Sequence, residues 1–283
     1  MELFRALAVL VEPPDRDGAG RVAEALGLGA LPEPSEYTEL FAFQLYPYAS
    51  VYAGAEGMLG GEARSRVADF MGLLGIRPPS EPDHLAVLLA AYAGLCESDE
   101  GGAAREAFLW EHLLSWLPAY LEKLSELAPP FYRRWGGLLM KALLEEVGRT
   151  GPPASLPLHL REAPPLADPR GGEGAEEFSR SLLAPARSGM ILTRADLARA
   201  GRSLGTGLRA GGRAFALRSL LGQDTAAAFG WLAAEAEGWA GRHLKHREAL
   251  GAVSEWWAGR ARDAAGLLRE LQEEAARNLS EEL

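Results

Sequence analysis

Cysteine is all but missing: Cys96 stands alone in 283 residues. An internal disulfide and any paired-cysteine zinc or redox site are thereby excluded. On an apolar helical pattern, the lone thiol reads as a buried structural group. Long apolar runs are missing too, since no stretch reaches the ~18 uninterrupted apolar residues of a membrane span. The opening "MELFRALAVLVEPP" has no basic n-region and no small-residue cleavage site, and Glu2 and Arg5 interrupt it. It reads as a first core helix rather than a signal peptide. Basic residues are the minority, 29 Lys and Arg against 39 Asp and Glu, for a formal charge of −10. That balance argues against indiscriminate nucleic-acid binding and suits basic partners. Together these features predict a soluble, cytoplasmic, globular protein.

Strand signals are absent as well, with no sustained alternation and no Asn-Gly or Asp-Gly hairpin. The period that is present is helical. Val67, Phe70, Met71 and Leu74 form one stripe, and Leu85, Leu88, Leu89, Tyr92 and Cys96 form the next. Leu109, Leu113, Trp116, Tyr120 and Leu124 form a third, in a helix that Pro118 is expected to kink. Pro130 opens a fourth, carrying Phe131, Trp135, Leu139 and Leu143. The fold class is all-α. Six prolines crowd residues 149–172, which read as a linker or surface loop without a helix. Further helices are expected around Phe178–Leu183, after a Thr193 cap, from Asp224 to His246, and through Val253, Trp257 and Leu268. The polar end, 272–283, should fray. The chain thus divides into 1–148, a proline-rich 149–172, and a C-terminal helical region 173–283.

Catalytic motifs are lacking: no nucleophile elbow, no HExxH, no phosphate-binding loop ending in Lys-Ser/Thr. "GTGLRAGG" (205–212) has Ala210 where a dinucleotide fingerprint needs glycine, and reads as a turn. His243 and His246 are spaced to face one metal, but further ligands are distant, and a solvated pair near a helix end is the plainer reading. Between 187 and 218 lie Arg187, Arg194, Arg199, Arg202, Arg209, Arg213 and Arg218 against Asp196, a local balance of +6 that leaves −16 elsewhere. This basic stretch could contact phosphates, but it reads better as a face that docks on acidic parts of the chain or on an acidic partner, through Arg194, Arg199 and Arg202. Adjacent Trp256 and Trp257 cannot both point inward, which makes one an interface candidate.

"EPDHLAVLLAAYAGL" (81–95) places Glu81, Asp83 and His84 at the mouth of an apolar helix. Pro82 holds Glu81 extended, and Asp83 can cap the first free N–H groups. Two readings stay open. In one, Asp83 caps, Glu81 is solvated and His84 is merely polar. In the other, carboxylates beside apolar faces receive a ligand with a cationic end and a greasy segment, through bidentate Arg–carboxylate bonds of roughly 1.5–3 kcal/mol each.

The order of short motifs resembles the TorD/DmsD/NarJ family of redox-enzyme maturation chaperones. Leu40-Phe41 comes first, then Pro47-Tyr48-Ala49-Ser50-Val51-Tyr52, then Glu81-Pro82-Asp83-His84, then His112-Leu113 with Trp116, over roughly residues 35–145. The resemblance implies a TorD-like helical bundle and a chaperone without catalytic turnover or a cofactor of its own. Its partners would be a molybdopterin-containing oxidoreductase subunit and that subunit's twin-arginine signal peptide, held until cofactor is inserted and export proceeds. Glu81 and Asp83 would attract the arginines, His84 would shape the mouth, and Tyr48, Tyr52 and Leu85 would contact the apolar segment. Residues 150–283 exceed the usual family length, and a homodimer is compatible with the resemblance. The competing classes are a helical enzyme using Asp83–His84 or a His243/His246 metal, and a DNA-associated regulator working through 187–218.

Overall fold

The structure is a computed structural model that describes residues 2–98, 102–172, 174–207 and 211–281. Arg209 and the centre of the 205–212 glycine stretch, Ala210 included, lie outside the described residues. The protein is all-α; its only β-type pairing among these residues is one antiparallel bridge between Tyr48 and His84. No helix among them is long and apolar enough to cross a membrane. The chain forms two compact units. One comprises 1–54, 58–162 and 248–253; the other comprises 55–57, 163–247 and 254–283.

In the first unit the helix Glu2–Val9 packs on Leu85–Glu97, and Leu117–Leu127 packs on Pro130–Thr150. Phe4, Leu7, Leu85, Leu88, Leu89 and Tyr92 are all buried, and Phe4 meets Tyr92 edge-on with ring centres 5.0 Å apart. The Trp135 indole donates to the Leu7 carbonyl at 3.1 Å, so the buried N–H is satisfied. Cys96 departs from expectation: it is only half-buried, because it lies at the last turn of its helix.

Pro118 does not kink a continuous helix. The chain makes a π-helical turn over Leu109–Leu114, breaks at Trp116, and restarts at Leu117 with Pro118 in the first turn. There its missing N–H costs no intrahelical bond. A second π-helical turn, Thr38–Gln44, carries Leu40 and Phe41 inward and closes with Leu45 N–H donating to the Leu40 carbonyl at 2.7 Å. Within the proline-rich stretch a short helix, Leu158–Glu162, forms where six residues run free of proline between Pro157 and Pro164, and it buries His159 and Leu160.

In the second unit Gly174–Leu182, Arg194–Ser203 and Thr225–His243 gather around Arg213–Gln223. Thr193 and Asp196, both fully buried, exchange bonds in a capping box, with Thr193 N–H donating to Asp196 Oδ2 at 2.8 Å. The last helix, Ala252–Glu281, runs on through residues expected to fray. Its stem is pinned by buried Trp257, Ala261, Ala265 and Leu268, and Glu, Ala, Arg and Leu propagate a nucleated helix well.

His243 is neither solvated nor paired with His246. It lies between Trp239 and Trp257 and donates from Nε2 to the Gly189 carbonyl at 2.8 Å. Trp257 is the inward member of its pair, while Trp256 is half-covered beneath the Arg260 guanidinium, 4.8 Å from the ring centre.

Candidate functional site

The mouth of the helix Leu85–Glu97 is built where the Glu81–His84 turn meets the segment around Tyr48. Ala49 N–H donates to the Asp83 carbonyl at 3.0 Å and Leu85 N–H to the Pro47 carbonyl at 2.8 Å, joining 47–49 to 83–85. Pro82 does not hold an extended segment: it lies in a turn closed by His84 N–H donating to the Glu81 carbonyl at 3.3 Å, and the bridging residues Tyr48 and His84 are the extended ones.

Asp83 is not the cap. His84 occupies that position, with Nδ1 accepting the Ala86 N–H at 3.2 Å. Asp83 is 1% exposed and turns away from the helix end, where its carboxylate accepts the Ser50 N–H at 3.2 Å. The Ser50 hydroxyl in turn accepts the Gly60 N–H at 3.1 Å, so one buried chain of bonds ties three segments together. Asp83→Ala leaves the Ser50 N–H unpaired, and a loss of about 1–3 kcal/mol is expected in urea unfolding.

The other members divide by exposure. Tyr52 lies flat on Trp116, with ring centres 5.3 Å apart and planes at 9°, and Tyr120 meets both rings edge-on. Tyr52 and Leu85 are buried in the core. His84 is also buried, edge-to-face with Tyr48 at 4.8 Å. Burial pulls its pKa below the ordinary value, against the carboxylates of Glu12, Glu81 and Asp83. Two residues remain at the surface. The Tyr48 hydroxyl donates to Glu81 Oε2 at 2.9 Å, and burial first, then this bond, raises the phenol's pKa. Glu81 is exposed, and among the described residues its Oε1 accepts no bond.

Sequence reasoning did not single out Met58 and Leu59, which are 62% and 52% exposed. They directly precede Gly60, whose N–H is anchored to Ser50. Their signal was legible: an apolar pair between glycines, "GMLGG", has no helical stripe to bury it. Arg64 donates to the Ser80 carbonyl at 2.6 Å, holding the helix that follows them beside the Glu81 segment.

Three of the six described arginines of the basic stretch are engaged within its own unit. Arg199 pairs with Asp196 at 3.1 Å and Glu235 at 2.8 Å. Arg187 pairs with Glu177, and Arg213 donates to the Leu192 carbonyl at 3.1 Å. Arg194 and Arg202 are exposed. Among the described residues no group of three or more His, Cys, Asp or Glu is placed to hold a metal ion.

Three deeply buried histidines set an acid limit. Burial is the first cause in each, pulling His112 to about 3 and both His159 and His243 to about 4, from an ordinary 6.5. Each is neutral when folded and protonated when unfolded below pH 6.5, so unfolding takes up protons there. Stability is complete above that pH and is lost as pH falls toward 4, by about 1.4 kcal/mol per pH unit for each histidine. Urea unfolding at pH 7, 6 and 5 should show the fall, and His243→Phe should flatten the second unit's share of it.

Residues 24–122 match the family model described as the nitrate reductase delta subunit. This segment contains every motif of the ordered set, and over it the chain is similar to TorD-like proteins. Among its relatives, the chaperone protein TorD of Vibrio vulnificus (strain YJ016) is 31% identical over 94 residues, 28% of this chain and 44% of the relative. The TorD of Vibrio cholerae serotype O1 (strain ATCC 39315 / El Tor Inaba N16961) is 33% identical over 94 residues, 28% and 42%. That of Shewanella pealeana (strain ATCC 700345 / ANG-SQ1) is 33% identical over 108 residues, 32% and 48%. The matched part thus spans less than half the length of these curated relatives. No solved structure matches the chain.

Proposed function

We propose that this protein is a maturation chaperone for a molybdopterin-containing oxidoreductase, and that it receives the client's twin-arginine leader at the Glu81 surface. The observation that carries the reading is the Glu81–Tyr48 pair, an exposed carboxylate held by a phenol, in the same bonded assembly as the Met58–Leu59 apolar pair. A leader offers an arginine pair followed by an apolar segment, which complements that surface in order and in chemistry. The match to the family model over residues 24–122 and relatives named as chaperones support the class.

The roles of the candidate residues narrow accordingly. Glu81 receives a guanidinium, Tyr48 fixes the carboxylate, and Met58 and Leu59 cover the apolar segment. Asp83, His84, Tyr52 and Leu85 act from beneath, by holding the Glu81–His84 turn against the Tyr48 segment. Arg194 and Arg202 stay available for an acidic face of the client, whereas Arg199 is committed to Glu235.

The test is calorimetry of the full chain with a synthetic leader, Arg-Arg followed by its apolar segment, and with a Gln-Gln version. Binding of the first, weakened by salt and lost in the second, is the expected result. No heat from either peptide at low ionic strength, with the apoenzyme also failing to associate, would sink the assignment.

A further inference from the structure

A concavity in the first unit is lined by none of the residues assigned to leader binding. The helix Gly61–Leu73, the π-helical turn Leu109–Leu114 and the helix Leu158–Glu162 enclose a cavity of about 330 Å³. Leu158 N–H donates to Glu111 Oε2 at 2.6 Å and Arg66 reaches Glu162, so the three walls are bonded to one another.

His112 lines this cavity at 4% exposure, and neither of its ring nitrogens has a hydrogen-bond partner among the described residues. The ring is instead held edge-on by Phe70 at 4.8 Å, Phe108 at 5.2 Å and His159 at 5.8 Å. Leaving a buried polar group unpaired costs about 1–3 kcal/mol, a cost that a phenylalanine in the same aromatic cluster would not carry. The bond from the Trp116 indole to this residue goes to the backbone carbonyl, so it does not explain the imidazole. π-helical turns often mark functional positions.

The rest of the lining says what the imidazole would meet. N–H donors come from Arg66, Arg161 and His159. Arg161 is exposed and makes no side-chain bond among the described residues. The acids offer less. Glu111 already accepts the Leu158 N–H, Glu62 and Glu162 are taken by Arg66, and Asp69 stands at the exposed rim. Phe70, Leu73 and Leu158 supply apolar wall. We propose that this cavity binds a small organic anion. Its carboxylate or phosphate is received by Arg161, Arg66 and an imidazole N–H, and its flat apolar body lies against Phe70, Leu73 and Leu158.

The test titrates the full chain with phenyl phosphate, benzoate, inorganic phosphate and benzamidine, read by calorimetry and by the histidine ring-proton resonances. Phenyl phosphate or benzoate should bind with a Kd below ~1 mM and shift the His112 resonance, and whichever binds tighter names the anionic group. Inorganic phosphate should bind more weakly, and the cation benzamidine should not bind. Arg161→Ala, at an exposed position, and His112→Phe should each weaken the tighter probe by about ten- to a hundredfold, the loss of one charge-assisted bond. Saturation by no probe, preference for benzamidine, or affinity unaltered in Arg161→Ala would overturn the proposal and leave His112 a structural residue. None of these outcomes bears on the leader titration, since Glu81 and Tyr48 take no part in the cavity.

Discussion

Glu81→Lys should weaken binding of a twin-arginine leader by about a hundredfold at low ionic strength while leaving the melting temperature unchanged. The size follows from replacing a charge-assisted acceptor, worth about 1.5–3 kcal/mol, with a like charge facing a cationic ligand. The indifference of the fold follows from exposure, because the only bond lost within the chain is the one from the Tyr48 hydroxyl. Glu81→Gln keeps an acceptor for that hydroxyl and removes the charge, so its affinity should fall between the two. Raising salt from ~50 to ~500 mM should narrow the gap between wild type and Glu81→Lys as the Debye length contracts. Equal affinities for wild type and Glu81→Lys at low salt would remove Glu81 from the site. Asp83→Ala gives the contrast: lowered stability, with affinity altered only as far as the Tyr48–His84 bridge loosens.

The largest stability effect is expected at Gly189 in the second unit. Gly189 ends the helix Pro185–Ser188 in the left-handed region, at φ 71°. A Cβ added there would lie 2.6 Å from Ala261 Cα and 2.8 Å from the Arg260 carbonyl carbon, backbone atoms of a helix that cannot yield cheaply. Left-handed strain of about 1–2 kcal/mol and overpacking of about 1–3 kcal/mol together predict a loss of roughly 3 kcal/mol for Gly189→Ala. The bond from His243 to the Gly189 carbonyl would be displaced with it. Calorimetry should show the affected transition about 10 °C lower. A melting temperature within two degrees of wild type would refute the close approach. Leader binding, which uses the first unit, should survive if that unit remains folded.

Most of the helical architecture was legible because apolar spacing is a local property. Phe131, Trp135, Leu139 and Leu143 are buried along the helix that Pro130 opens, and Thr193 caps the helix it precedes. The errors lie where a side chain had two plausible partners. Asp83 is an ordinary cap residue by sequence, yet its carboxylate finds Ser50, 33 positions away, and His84 takes the helix end. Pro118 reads as a kink only if the helix before it continues, and the π-helical turn at 109–114 had already broken the register. His243 was paired on paper with His246 by spacing alone, but two tryptophans and a carbonyl from the Pro185–Gly189 turn claim it.

The sequence alone determined an all-helical chain, the order of its capped and proline-opened helices, and the motif series in which it resembles TorD-like proteins. Those properties depend on residues within a turn or two of each other, where spacing and capping preference suffice. Only the tertiary structure decided which members of the acid–aromatic cluster stay at the surface, that Met58 and Leu59 stand exposed near it, and that His112 faces a cavity unpaired. Exposure and pairing of those groups depend on segments far apart in the chain, and no local pattern encodes which distant partner a polar side chain will meet.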